Sequence, residues 1–161
     1  MLKDRYDKQA EDINAHIRRD DLHRRVVTGS GIFYAEADPP GNTWGGAGSF
    51  IAKTAAAGNT IIGASNGYAI TEGNYNSIFG YFSGVALTTG SDNHIVGNNT
   101  ANALTTESYN NIFGGGAGNA ITGAENSIFG GGAVGIGAGV DRISALGFYS
   151  ARLLASSDGG V

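Results

Sequence analysis

The sequence predicts an all-β repeat fold: a parallel β-solenoid, β-roll or trimeric β-helix shaft, preceded by a short N-terminal α-helix. Three observations carry this expectation. An Asn-x-apolar-apolar-Gly segment recurs from Asn42 with spacings of 17, 17, 17, 17 and 16 residues. A second segment, Ala-x-Thr, follows ten residues after each of the first five asparagines. Glycine makes up 28 of 161 residues, about one in six against an ordinary share near 7%.

The N-terminal part differs from the rest. Residues 1–27 contain seven of the ten Lys/Arg, six of the fourteen Asp/Glu and no Gly or Pro. Tyr6, Ala10, Ile13 and Ile17 fall at helical spacing and form one narrow apolar stripe. Such a stripe suits a short coiled coil or a docking helix, so this segment is expected to serve docking and trimerisation. Thr28–Gly31 stops the helix, and the turn Asp38-Pro-Pro-Gly41 closes a linker over 28–41.

The shaft is expected over 42–147. Its first column set reads Asn42-Thr-Trp-Gly-Gly46, Asn59-Thr-Ile-Ile-Gly63, Asn76-Ser-Ile-Phe-Gly80, Asn93-His-Ile-Val-Gly97, Asn110-Asn-Ile-Phe-Gly114 and Asn126-Ser-Ile-Phe-Gly130. A degraded seventh copy, Ile143-Ser-Ala-Leu-Gly147, ends it, leaving 148–161 as a connector. A period of 17 is too short for helix-pair repeats, whereas short strands with Gly/Asn turns fit. Each repeat is expected to form one coil with two short strands, stacked at about 4.8 Å on the next into a rod of about 30 Å. The glycine in the fifth column predicts a corner with positive φ, and the first-column asparagine suits an amide ladder between coils.

The third and fourth columns are both apolar: Ile61/Ile62, Ile78/Phe79, Ile95/Val96, Ile112/Phe113 and Ile128/Phe129. Neighbouring strand residues point to opposite faces. One set can fill the coil, so the other is left as an exposed stripe, which implies an interface. The reading that follows is a rod in which one chain supplies only part of the core, a parallel homotrimer being the simplest closed arrangement.

The Asn-x-Ile-Phe-Gly and Ala-Leu-Thr columns, after a charged N-terminal segment, resemble the shafts of bacteriophage tail fibres and related virion fibres. They are also similar to the β-roll heads of trimeric autotransporter adhesins, whose repeats are shorter and whose chains are exported. The segment MLKDRYDKQAED has no apolar core of a secretory signal, which favours the fibre. The resemblance implies a structural rod assembled in the host cytoplasm and located in the virion. Its N-terminal segment would meet tail or baseplate proteins, and its distal part a host glycan or protein. Tyr68, Tyr75, Tyr81, Phe82 and Tyr109 are the candidate receptor contacts, because aromatic rings give rigid amphipathic surface.

No constellation for catalysis stands out, and the expectation is a non-enzymatic protein without cofactor or metal. The three histidines lack an H-E-x-x-H context. His94 stands by itself in the repeats, and the period is not the 18 of a hexapeptide acyltransferase. Gly114–Asn119 has Asn119 where a calcium β-roll needs a carboxylate. The threonine column (Thr54, Thr71, Thr88, Thr105, Thr122) could present an ice-binding array, but strand propensity accounts for it. Glu72, Asp92, Glu107 and Glu125 drift around one corner rather than facing one another, unlike a glycosidase pair. A net charge of −4 offers no reason to expect nucleic acid. There is no apolar run of the roughly 20 residues that membrane insertion needs. With no cysteine, disulfides and thiolate metal sites are excluded.

Overall fold

The computed structural model describes residues 23–28, 31–36, 40–133, 139 and 141–150. Among the described residues, nine strands form one sheet in sequence order. The first two, β1 (His23–Thr28) and β2 (Gly31–Glu36), make an antiparallel hairpin, and β2 pairs antiparallel with β3 (Thr43–Gly45). From β3 onward every pairing is parallel: β4 (Thr60–Ile62), β5 (Ser77–Tyr81), β6 (His94–Asn98), β7 (Asn111–Phe113), β8 (Ser127–Phe129) and β9 (Ser144–Leu146). The chain is a β-solenoid of about six turns.

Two sequence expectations are corrected at the N-terminus. Residues 23–27 are strand rather than helix, and the expected linker over 28–41 contains β2. The reason is local: Val26-Val-Thr28 is β-branched, and only Gly29-Ser30 separates it from the alternating Gly31-Ile-Phe-Tyr-Ala-Glu36. The stripe of Tyr6, Ala10, Ile13 and Ile17 lies outside the described residues. Among the described residues each coil also carries one strand, not two. The rest of each turn is bends that hydrogen-bond from coil to coil.

Register follows the repeat. Ile61 pairs with Ile78, Ile78 with Ile95, and Ile95 with Ile112, each 17 residues on. Ile112 meets Ile128 after 16. The missing residue is lost at the turn between Thr122 and Ala124. By Glu125 the backbone has recovered its place: Glu125 has φ 59°, matching Asp92 and Tyr109 at the same corner, and its N–H donates to Ser108 O as theirs do one coil earlier.

The interior belongs to a single chain. Third-column Ile61, Ile78, Ile95, Ile112 and Ile128 are fully buried, and twelfth-column Ile70, Leu87, Leu104 and Ile121 are equally buried. Each such side chain contributes about 1.5–3 kcal/mol relative to exposure. The expectation that chains share the core is therefore corrected. Two apolar columns of the same coil fill it, and one of them, the twelfth, is the middle residue of the Ala-x-Thr segment.

The first coil is filled differently. Trp44 and Phe50 are buried there, Tyr34 of β2 stacks on Trp44 at 5.1 Å, and the Lys53 ammonium sits 4.3 Å from the Trp44 ring centroid. Burial lowers the pKa of Lys53, while the ring face favours its charged form. The hairpin thus covers the first coil with aromatic rather than aliphatic packing.

Polar ladders fix coil on coil. First-column asparagines 42, 59, 76, 93, 110 and 126 are all fully buried. Asn76 Oδ1 accepts from Asn93 N and Asn93 Nδ2, both at 3.0 Å, and Asn76 Nδ2 donates to Asn59 Oδ1 at 3.1 Å and to Gly90 O at 2.9 Å. The amide ladder expected from sequence is present, and it ends where Ile143 takes the column. A second ladder runs through Asn66, Ser83 and Thr100, where Asn66 Oδ1 and Ser83 Oγ accept from the next coil's N–H. Buried polar groups are tolerated on such terms because they are hydrogen-bonded.

Candidate interaction surfaces

The fourth column turns outward along the sheet. Phe79, Phe113 and Phe129 are 39%, 36% and 41% exposed, Ile62 and Val96 are half-buried, and Leu146 at the far end is exposed. Parallel in-register pairing sets them in line: Ile62 beside Phe79, Phe79 beside Val96, Val96 beside Phe113. Phe113 and Phe129 stack with centroids 5.0 Å apart and planes 5° from parallel. Of the ten residues expected at the core or an interface, the structure separates five buried isoleucines from five surface residues. The resulting face is a continuous apolar stripe on a rigid sheet, a surface of the kind that marks association.

The five candidate receptor aromatics are all exposed, but the fold does not bring them together. Tyr75 and Tyr109 occupy the seventeenth-column corner, both with positive φ. Tyr68 lies at another bend. Tyr81 and Phe82 are neighbours just past the fifth-column glycine, with ring centroids 6.2 Å apart. Sequence reading missed a second pair at that same place, Phe148 and Tyr149, whose centroids are 4.1 Å apart. A signal was there: Gly80-Tyr-Phe-Ser83 and Gly147-Phe-Tyr-Ser150 share Gly and Ser at their ends and an aromatic pair, in swapped order, between them.

Other surfaces offer little chemistry. Three of the column's hydroxyls are turned to the stack itself: Thr54 Oγ1 donates to Thr71 O at 3.2 Å, Thr71 Oγ1 to Thr88 O at 3.4 Å and Thr88 Oγ1 to Thr105 O at 2.9 Å. His94 is exposed on β6, in register with Ser77 and Asn111. Glu125 pairs with Arg142 at 2.9 Å on the seventeenth-column corner. That hydrogen bond and the carboxylate charge raise the Arg142 pKa, although the pair is exposed and adds little stability. Asn119, placed where a calcium roll needs a carboxylate, accepts from Asn102 N at 3.3 Å. Among the described residues no group of three His, Cys, Asp or Glu side chains could hold a metal ion, and no helix is long and apolar enough to cross a membrane.

The fold and these surfaces define a parallel β-solenoid with an apolar sheet face. Comparisons with protein-family models, with curated proteins and with solved structures return no match.

Proposed function

We propose that this chain is a non-enzymatic subunit of a virion fibre, a bacteriophage tail fibre. It would act as a stiff trimeric rod that holds the host-attachment end away from the particle. The observation that carries this reading is the stripe of Ile62, Phe79, Val96, Phe113 and Phe129 on the outside of a stack whose own interior is already full. A monomer has no use for such a stripe, and leaving it in water carries an aggregation hazard. Three rods packed in parallel about a common axis cover all three stripes with one closed symmetry. The solenoid supports the mechanical role, since each coil is tied to the next by sheet pairing, buried amides and interlocking isoleucines. In this reading the N-terminal segment engages tail or baseplate proteins, and the distal part meets a host glycan or protein.

Sedimentation equilibrium on the full chain tests the assembly, and a mass of three chains is expected. The triple variant Phe79→Ser/Phe113→Ser/Phe129→Ser should fall to the mass of one chain while keeping its circular dichroism spectrum. A stable wild-type monomer would overturn the trimer. Mass spectrometry of purified phage particles tests the location: the chain should be a virion component. Recovery from a bacterial envelope instead would assign it to the surface adhesins.

A further inference from the structure

The corner just past the fifth-column glycine is a second surface, built unlike the apolar stripe. Its backbone is itself a ladder. The N–H of Phe82, Asn99, Gly116, Gly132 and Tyr149 each donates to a carbonyl of the preceding coil, at 2.9–3.1 Å. Side chains in the sixth and seventh columns therefore stand in fixed register along the rod. Tyr81–Phe82 marks one end, and Phe148–Tyr149 lies four coils further on, at a spacing of about 19 Å for a rise of about 4.8 Å per coil. Between the two aromatic pairs come Asn98–Asn99, Gly115–Gly116 and Gly131–Gly132.

The glycine pairs explain how flat rings sit here. The rings of Phe148 and Tyr149 lean over the preceding coil: a Cβ on Gly131 would stand 2.9 Å from Phe148 Cε2, and one on Gly132 would overlap the Tyr149 ring. Gly115–Gly116 is the equivalent shelf one coil earlier, and no ring covers it. The nearest atom to a Cβ on Gly115 is Asn98 O at 3.8 Å, and on Gly116 the backbone of Gly132 at 3.9 Å. The shelf thus has room for one more flat ring beside Phe148 and Tyr149. On its other side are the exposed Asn98 and Asn99. Asn99 Oδ1 accepts from Asn102 Nδ2 at 2.7 Å, which leaves the Asn99 amide NH2 to donate outward.

We propose that this corner is a binding site for a neutral, extended polysaccharide, with one sugar ring seated on the Gly115–Gly116 shelf and the chain stacking on both aromatic pairs. Three features select this ligand over a second protein chain. The aromatic surface is interrupted rather than continuous, unlike the fourth-column stripe. The spacer between the platforms is polar amide and bare backbone, which suits hydroxyl groups. No Asp, Glu, Lys or Arg occupies the sixth or seventh column in any coil, so the site offers no attraction to a charged polymer. Sugar rings present C–H faces to aromatic rings and hydroxyl edges to amides, so a glycan running along the rod can use both. The site rests on the corner's geometry and stands whether or not the chain is a virion protein.

Affinity electrophoresis of the full chain through gels containing hydroxyethylcellulose, galactomannan or dextran tests the site. Retardation by at least one of these probes is expected. Tyr81→Ala/Phe82→Ala and Phe148→Ala/Tyr149→Ala should each weaken it about tenfold, the scale of two lost ring contacts. Gly115→Leu should abolish it by filling the shelf, with an unchanged circular dichroism spectrum, since Gly115 does not need a positive φ. Failure of all three polysaccharides to retard the wild-type chain overturns the proposal, as does retardation that Gly115→Leu leaves intact. Aromatic-pair variants that change the sedimenting mass would assign the corner to chain–chain contact instead. The trimer is tested separately, through the fourth-column variants.

Discussion

Asn76 shows how one side chain can hold three coils. Its carbonyl oxygen serves the coil below and its amide nitrogen the coil above, with Gly90 O taking the second proton. Replacing it with Ala leaves the Asn93 N–H and the Gly90 carbonyl without this partner, while Asn59 Oδ1 keeps the backbone N–H of residue 76, and each orphaned group costs about 1–3 kcal/mol. Asn76→Ala is therefore expected to lower unfolding free energy by about 3 kcal/mol or more in urea titrations. A loss under about 1 kcal/mol would mean that water replaces the ladder. Glycine acts through the backbone instead. Gly80 has φ +136°, and a Cβ there would overlap Gly97 O. Gly80→Ala should thus destabilise by at least the roughly 1–3 kcal/mol of a strained residue. Gly115→Ala, with open space and no positive φ, should change stability by less than about 1 kcal/mol. Equal thermal shifts for the two would contradict the corner's role.

Strand β7 puts the two apolar columns side by side. Ile112 is fully buried and Phe113, the next residue, lies on the outer face. Ile112→Ala removes a packed side chain between neighbours on adjacent coils and is expected to cost about 2–5 kcal/mol. Phe113→Ser gives up one stacked partner, Phe129, and should cost about 1 kcal/mol in the folded chain. If the chain assembles as proposed, the larger effect of this variant falls on association. Calorimetry and sedimentation on the two variants should show opposite patterns, stability lost in one and self-association lost in the other. If both lost stability equally, the stripe would be part of the fold rather than a surface. The hairpin of β1 and β2 works at this same scale. It lays Tyr34 on Trp44, so that the first coil is not left with an open apolar end.

Across the whole molecule, stability is the sum of coils that touch only their neighbours. The middle coils carry Ile, Asn and a twelfth-column Ile or Leu together. The far end has Ala145 where the middle coils have Ile, and Ile143 where they have Asn. Hydrogen exchange should therefore be slowest at Ile78 and Ile95 and faster at Ala145 and Leu146, because local opening follows the number of buried contacts. Uniform protection from β3 to β9 would show that the stack opens only as one unit. A trimer would add a gradient of its own, slowing exchange along the fourth column most.

The repeat was legible because a solenoid needs the same backbone at every turn, so glycine corners and asparagine ladders must recur at one period. Period, register and the positive φ of the fifth-column glycine were readable for that reason. Other features came from tertiary contact. Alternation says that Ile112 and Phe113 face opposite ways, but only coil curvature decides which enters the core. The twelfth column closes that core within one chain, a contact between residues on opposite sides of a coil that spacing along the sequence cannot show. The hairpin over the first coil and the shared corner of Tyr81–Phe82 and Phe148–Tyr149 depend on where the chain bends. The sequence by itself determined the period and the stacking. Only the folded chain decided what is inside and which residues share a face, because both depend on curvature set by the whole coil.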